Sequence, residues 1–428
     1  MQRTQKIKIL SSIILIGFSI SVLYSYVFGG YLHLNFPFNT FLMPADSPFT
    51  DFTNYIKCNS IQSFNPYINN EYFPNTKSTC QIGYLPFGAL INCLFALFAS
   101  KKLALLFFLT LFIVGWIFFV YKNFKLDNKL DNLNSFFTIT FLSYPFLFAI
   151  DRGNLELYMF LLLSCFCFFC TSRKRNLSNL ALLCLSLAIA IKPFPVLLMI
   201  LLIDKKKWKE ILVVIALVLL ICILSLFCFK GGLLQNIQSL RSNQILILHA
   251  TTNPPSGLNY GWNIGWGYGH SLFGALKVFL AYFLTTFHID NVKAWIDSLL
   301  RFNSILSFFI FIFVTWYTLT IEKVFWKKLF LLIFVMLVTS PISGDYRLLS
   351  LFIPLAFFVN EPQESKYDLL YVVLFGLMMI PKSYYIIPFM NQLAGLGLSL
   401  GVVVNPLLLF AMAFMIIREG FLKQKLIS

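Results

Sequence analysis

Residues 173–209 read RKRNLSNLALLCLSLAIAIKPFPVLLMILLIDKKKWK. Two basic clusters, Arg173-Lys174-Arg175 and Lys205-Lys206-Lys207-Trp208-Lys209, enclose the apolar stretch 177–203. One straight membrane helix would put the clusters on opposite sides, whereas Lys and Arg collect on the cytoplasmic side. Lys192-Pro193-Phe194-Pro195 interrupts the stretch. Proline cannot continue the hydrogen-bond ladder of a helix. Two half-helices, out and back, keep both clusters on one side and set Lys192 near the other. Broken helices at membrane depth line cavities.

The rest of the 428-residue chain agrees with a membrane reading. Hydrophobic residues make up 59% and charged residues 12%, and the mean hydropathy is +0.79. A soluble fold cannot hide that much apolar surface. Working outward from 173–209 gives an all-α polytopic membrane protein with about twelve embedded helices. The whole chain, 1–428, reads as one membrane-embedded domain: a first span at 9–29, a first outer loop at 30–102, core helices at 103–229, a second outer loop at 230–298 and C-terminal helices at 299–428. Within the core and C-terminal parts, spans are expected near 103–121, 133–150, 154–171, 209–229, 299–320, 328–342, 346–360, 367–381 and 393–417. The apolar stretches 83–99 and 271–287 read as interfacial or re-entrant helices of the outer loops, because spanning there would flip the basic clusters between them. The first run is too long for a signal peptide and lacks a small-x-small cleavage site, so it reads as a retained anchor. Both termini then face the cytoplasm, and the layout suits a bacterial inner membrane.

The net charge of +16 lies in short clusters between apolar runs. That pattern fits membrane topology and not nucleic-acid binding, which needs a basic face interleaved with aromatics. Of nine cysteines, Cys93, Cys165, Cys167, Cys170, Cys184, Cys222 and Cys228 fall in apolar runs and read as packing residues. No His or carboxylate accompanies them to make a zinc site. Cys58 and Cys80 share the first polar loop, 22 residues apart. Outside the cytoplasm a disulfide between them is chemically allowed.

The threading sends Asp46, Asp51, Asp151, Arg152, Lys192, His249, His270, Asp345 and Arg347 to one leaflet. Ionisable groups in or near a membrane are costly, so each is a candidate site residue. Bland alternatives stand beside each. Asp51 reads either as a helix cap or as a general base. Asp46 reads as a turn residue. Asp151 and Arg152 can pair with each other, and Lys192 can snorkel. Arg and Lys at that face also suit a lipid phosphate. His249 and His270 read equally as loop residues. Tyr260 to Tyr268, with Trp262 and Trp266, reads as an interfacial anchor or as a stacking surface for a sugar. The chain has no Gly-rich phosphate loop, no dinucleotide fingerprint and no tightly spaced metal ligands. No cytoplasmic stretch is long enough for a globular catalytic domain.

Six stretches together resemble glycosyltransferase family 87, a group of membrane GT-C enzymes related to polyprenol-phosphate-mannose-dependent mannosyltransferases. They are Asp51-Phe52-Thr53-Asn54-Tyr55; Asn65-Pro66-Tyr67 with Gly83-Tyr84-Leu85-Pro86; Arg152-Gly153-Asn154; Ala190-Ile191-Lys192-Pro193-Phe194-Pro195; His270-Ser271-Leu272; and Ser340-Pro341-Ile342-Ser343. The order matches along most of the chain. Departures are the missing second proline after Tyr84, the Asp151-Arg152-Gly153 form and His270 in place of Gln, so the sugar and the acceptor stay open. The resemblance implies a hexosyltransferase that moves a sugar, mannose first among candidates, from a polyprenyl-phosphate donor to a lipid or glycan acceptor outside the cytoplasm. It implies inversion with Asp51 as general base and no cofactor or metal. Arg152, Asn154, Lys192, His270, Arg347, Tyr55 and Trp266 are then the substrate-binding residues. Two rival classes remain: an O-antigen-type polymerase or ligase using the late loop 230–298, and a lipid-linked sugar transporter or flippase, which would keep its charges near the bilayer midplane.

Overall fold

Prolines and short polar residues decide where the apolar runs break into helices. The computed structural model describes residues 1–36, 38–42, 48–61, 67, 83–126, 128–252, 269–287, 289, 292–341, 343–386 and 398–425. Its helices are α1 (Arg3–Ser25, continued by a π-helical turn Tyr26–Tyr31), α2 (Thr50–Ile61), α3 (Pro86–Ala96), α4 (Lys101–Phe124), α5 (Lys129–Phe141), α6 (Tyr144–Arg152), α7 (Glu156–Phe169) and α8 (Arg175–Ile191). There follow α9 (Ile200–Asp204, led by a 3-10 turn Phe194–Met199), α10 (Trp208–Phe227), α11 (Leu233–Thr252), α12 (Leu272–Thr286), α13 (Val292–Thr320) and α14 (Phe325–Val338). A 3-10 turn Asp345–Leu351 leads into α15 (Phe352–Val359), then come α16 (Asp368–Met379) and α17 (Leu400–Lys425). One antiparallel strand pair, β1 (Tyr385–Ile386) with β2 (Leu398–Ser399), joins the last two helices in the register Tyr385↔Ser399.

About twelve embedded helices were expected, the two halves of the broken stretch 177–203 among them. Among the described residues five helices are long and apolar enough to cross a membrane, or six when α5 and α6 are taken as one bent span. Apolar run length misled because breaks shorten the helices. The run expected as one span at 133–150 bends by 42° between α5 and α6. Pro145 there has no N–H to give the carbonyl of Phe141, where α5 ends. The expected span 154–171 forms the 14-residue α7, and 367–381 the 12-residue α16. Both fall short of the ~20 residues needed for the hydrocarbon core. The 11-residue α3 and 15-residue α12, within 83–99 and 271–287, are short as well.

The chain divides into two compact units. The first comprises 1–47, 116–149 and 251–428. Its centre is α14, buried from Trp326 to Val338, so an all-round apolar sequence has neighbours on every side. By contrast α13 leaves Phe302, Phe308, Phe309 and Ile312 exposed, a surface suited to lipid tails. Polar contacts gather at two ends of this unit. At one end Lys6 Nζ lies 3.2 Å from Asp368, Arg3 donates to the carbonyls of Asn123 and Lys125, and Lys327 Nζ meets Glu419 at 2.6 Å. At the other end Ser21 Oγ lies 2.8 Å from Tyr384 Oη, near where the β1–β2 pair starts. The helical rise from Lys6 to Ser21 is about 22 Å, an apolar slab between polar ends.

The second unit comprises 48–115 and 150–250. Here α8 ends at Ile191, Lys192 is extended (φ −145°, ψ 146°), and the chain returns through the 3-10 turn and α9. Lys207 Nζ donates to the carbonyl of Cys170 at 3.2 Å, so both basic clusters around 173–175 and 205–209 sit at the same end. Lys192 lies at the other end, against the start of α7. The cysteines of the apolar runs are free thiols.

Candidate functional site

In the second unit the turn Arg152-Gly153-Asn154 closes α6 and opens α7. Gly153 takes φ +63°, a left-handed conformation that ends helices and that glycine adopts without penalty. A Cβ there would also sit 2.9 Å from Phe52 Cβ, so the turn packs directly on the first turn of α2. Just ahead of α2, Phe49 holds φ 54° and donates its N–H to the carbonyl of Asp151 at 2.6 Å. A bulky residue with φ above zero is strained by about 1–3 kcal/mol, and such strain clusters at functional sites.

These constraints bring Asp51 onto the turn. Its Oδ1 accepts from Arg152 Nη2, and its Oδ2 accepts from Asn154 Nδ2 at 2.7 Å. Asn154 Oδ1 in turn accepts from Tyr84 Oη at 2.9 Å and from the N–H of Glu156 at 3.1 Å, which caps the start of α7. Tyr84 is fixed through its carbonyl, which accepts from Tyr67 Oη at 3.1 Å, and the next residue, Leu85, donates to the carbonyl of Ile191 at 2.9 Å. Lys192, the residue after Ile191, pairs with Glu156 Oε1 at 2.7 Å and stands 4.9 Å from the centre of the Tyr84 ring. Tyr55, one turn on from Asp51, packs edge-on against the same ring at 5.0 Å. Two carboxylates and two cations, all buried or partly buried, thus converge around one tyrosine. Such a set can hold an anion, move a proton at a carboxylate and stack a flat ligand.

The first unit holds a second polar cluster. The imidazole of His270 is fully buried, with Nδ1 3.4 Å from Asp345 Oδ1 and Nε2 2.5 Å from Ser343 Oγ. Asp345 also accepts from Tyr144 Oη at 2.8 Å and from Asn405 Nδ2 at 3.3 Å. Arg347 Nη1 donates to Ser340 Oγ at 3.0 Å and, at 3.5 Å, to Ser343 Oγ. Lys382, in the turn after α16, donates to the carbonyls of Leu377 and Ile380 at 2.7 and 2.8 Å. Burial pushes its amine down to about 7, against the pull of the Asp345 carboxylate.

Of the residues singled out from sequence, Asp51, Tyr55, Arg152, Asn154 and Lys192 come together in one unit. His270 and Arg347 come together in the other, with Asp345. Trp266, Asp46 and Cys80 lie outside the described residues, as do the side chains of Cys58 and His249, so the Cys58–Cys80 pairing falls outside them too. Sequence reasoning missed Glu156, although a lone carboxylate two residues after Asn154 in an apolar run is itself a signal. It also left Tyr144, Asn405 and the hydroxyl of Ser343 without a role. Single polar residues of these types carry no spacing signal.

The model of glycosyltransferase family 87 matches residues 83–341, more than half of the chain. The matched part contains Tyr84, Arg152, Asn154, Glu156, Lys192, His270 and Ser340, whereas Asp51, Ser343, Asp345 and Arg347 lie outside it. No curated protein and no solved structure matches the chain.

Proposed function

The chain belongs to glycosyltransferase family 87, and on that premise we propose that this membrane transferase moves a hexose, with mannose the first candidate, from a polyprenyl-phosphate donor to a hydroxyl of a lipid or glycan acceptor outside the cytoplasm. In the proposed step the acceptor oxygen attacks the anomeric carbon from the face opposite the phosphate. The proton of the hydroxyl passes to Asp51. The bond from the anomeric carbon to the phosphate oxygen breaks, and the phosphate leaves with the electron pair. The sugar inverts.

The observation that carries this reading is the engagement of Asp51 by Arg152 and Asn154. While Arg152 and Asn154 donate to Asp51, its oxygens are occupied, and Arg152 has to be drawn away before an acceptor hydroxyl can donate to Oδ1. A phosphate is the stronger competitor for Arg152, since guanidinium and phosphate pair through two parallel hydrogen bonds. Donor arrival then does two things at once: it places Arg152 on the group that will gain negative charge, and it frees Asp51. Fixed positive charge at a developing anion is a large source of rate acceleration. Lys192, held by Glu156, is assigned to the same phosphate, and Asn154 keeps Asp51 oriented after Arg152 moves. Tyr55 and Trp266 are assigned to the sugar, and His270 and Arg347 to substrate binding as well.

A bacterial plasma membrane, with both termini in the cytoplasm, is part of the same proposal. It is supported in each unit by the gathering of basic residues at one end. Arg3, Lys6 and Lys327 mark that end in the first unit, and the clusters joined by Lys207 mark it in the second.

The test is transfer from radiolabelled polyprenyl-phosphate sugars in membranes carrying equal amounts of wild-type protein or Asp51→Asn. Transfer by the wild type and its loss in the variant are expected. Equal transfer by both would remove Asp51 from the reaction.

A further inference from the structure

Tyr84 is fully buried and contacts Asn154, Lys192 and Tyr55, yet the proposed transfer gives it no role. We propose that Tyr84 is a positioning residue: its hydroxyl anchors the Asn154 amide with the N–H toward Asp51, and so keeps that carboxylate aimed at the acceptor hydroxyl. That Asp51 takes the acceptor's proton rests on the function proposed above. The anchoring of the amide does not. All the residues involved belong to the unit of 48–115 and 150–250.

The direction of each bond follows from donors that cannot reverse. A backbone N–H only donates, and that of Glu156 faces the Asn154 amide at 3.1 Å, so the atom there is Oδ1. The other end of the amide, 2.7 Å from Asp51 Oδ2, is then the nitrogen. Oδ1 carries no proton, so Tyr84 Oη, 2.9 Å away, supplies its own. The two donors to Oδ1 do different work. Glu156 lies two residues along the same chain, so its N–H orients the amide only relative to α7. Tyr84 comes from the head of α3, where Leu85 N–H donates to the carbonyl of Ile191 at the end of α8. Asp51 rides on α2, which packs on α3 through Phe52 and Phe95, their rings 5.8 Å apart. The hydroxyl thus ties the amide on α7 to the helix pair that carries Asp51. Deep burial strengthens a hydrogen bond of this kind. Once Arg152 has moved to the phosphate, the Asn154 N–H is the contact left to aim Asp51, and Tyr84 sets where that N–H stands.

Proton–nitrogen NMR of protein carrying isotope-labelled asparagine, in lipid nanodiscs, reads the anchor without any substrate. The Asn154 signal is assigned by its absence in Asn154→Ser. The amide proton given to Asp51 is expected far downfield of its partner in the wild type, because bonds to a carboxylate are short and strong. In Tyr84→Phe, which keeps the ring beside Lys192 and Tyr55, that proton should move upfield. An unchanged Asn154 signal in Tyr84→Phe overturns the proposal. Transfer kinetics read the consequence. Tyr84→Phe is expected to lower kcat about fivefold, the usual effect of losing one neutral hydrogen bond. The donor KM should stay within about twofold, since the hydroxyl serves the base and not the phosphate. In an Asp51→Asn background Tyr84→Phe should cost less than about twofold more, because it acts through the carboxylate. A further full fivefold loss in that background would show that Tyr84 does not work through Asp51. If the wild type transfers nothing from any polyprenyl-phosphate sugar, the function proposed above fails, and the Asn154 signal still decides the anchor.

Discussion

The two polar clusters are built on different principles. In the unit of 48–115 and 150–250, charge meets charge: Asp51 with Arg152, and Glu156 with Lys192. In the unit of 1–47, 116–149 and 251–428, one carboxylate, Asp345, is surrounded by a phenol, an amide and an imidazole, and Arg347 rests on two serine hydroxyls. Ion pairs are weakly directional, and an incoming ligand of the right sign can take one partner from the other. Hydroxyl and imidazole networks give every proton a direction and resist exchange. The first arrangement suits residues that must change partners during a reaction. The second suits residues that must stay where they are.

That contrast can be broken at four points. Asp51→Asn is expected to reduce sugar transfer by roughly 100–10,000-fold at equal protein level, the range for a lost general base; a modest loss would place Asp51 among the merely structural partners of Arg152. Glu156→Gln leaves the Lys192 charge buried without its counter-charge and should cost about 3–5 kcal/mol of stability, whereas Glu156→Leu with Lys192→Met should recover most of it. Unfolding by SDS titration in mixed micelles compares the two, and a double variant no more stable than the single would mean that the pair is not what holds α7 to the end of α8. Gly153→Ala forces a side chain onto a left-handed backbone and into Phe52, with an expected cost of about 1–3 kcal/mol. It should also lower transfer, because the turn it distorts carries both partners of Asp51. Normal stability and transfer in that variant would show that the turn relaxes freely. The smallest effect is expected from Tyr144→Phe, which removes one of the three hydrogen-bond partners of Asp345 and should cost about 1 kcal/mol. A loss as large as that of Glu156→Gln would mean that the second cluster, too, depends on a single bond.

Much of the first cluster was legible in the sequence. Asp51 stood out as a carboxylate in the first outer loop, Arg152, Asn154 and Lys192 as ionisable or amide groups at the ends of apolar runs, and the break at Lys192 was marked by two prolines and by basic clusters on both flanks. Glu156 was lost because it lies inside such a run, where an averaged hydropathy reading absorbs one carboxylate among fourteen helical residues. The lengths of the helices were hard to read for a related reason. Hydropathy measures where apolar residues lie, and it is blind to the local chemistry at Ser143-Tyr144-Pro145 that bends one expected span into two helices. The second cluster was half visible. His270 is one of four histidines in the chain and Arg347 sits among short polar residues between apolar runs, so both drew notice, whereas Ser343, Tyr144 and Asn405 acquire meaning only from tertiary contacts between residues as much as 201 positions apart in sequence.

The complete burial of α14 has a consequence for how the protein is made. This helix leaves the ribosome with Lys327 at its start, and the carboxylate that neutralises it, Glu419, is synthesised 92 residues later. During that interval a strongly apolar segment has to wait in the bilayer while a lysine at its head lacks the partner it will finally have. The lysine then serves as a temporary mooring at the membrane surface. When α17 arrives, its glutamate cancels the charge and lets the segment sink among its neighbours. Assembly of this half of the molecule is thus completed from the C-terminal end, and a chain that stops before Glu419 should be degraded faster than the full one in a pulse-chase experiment.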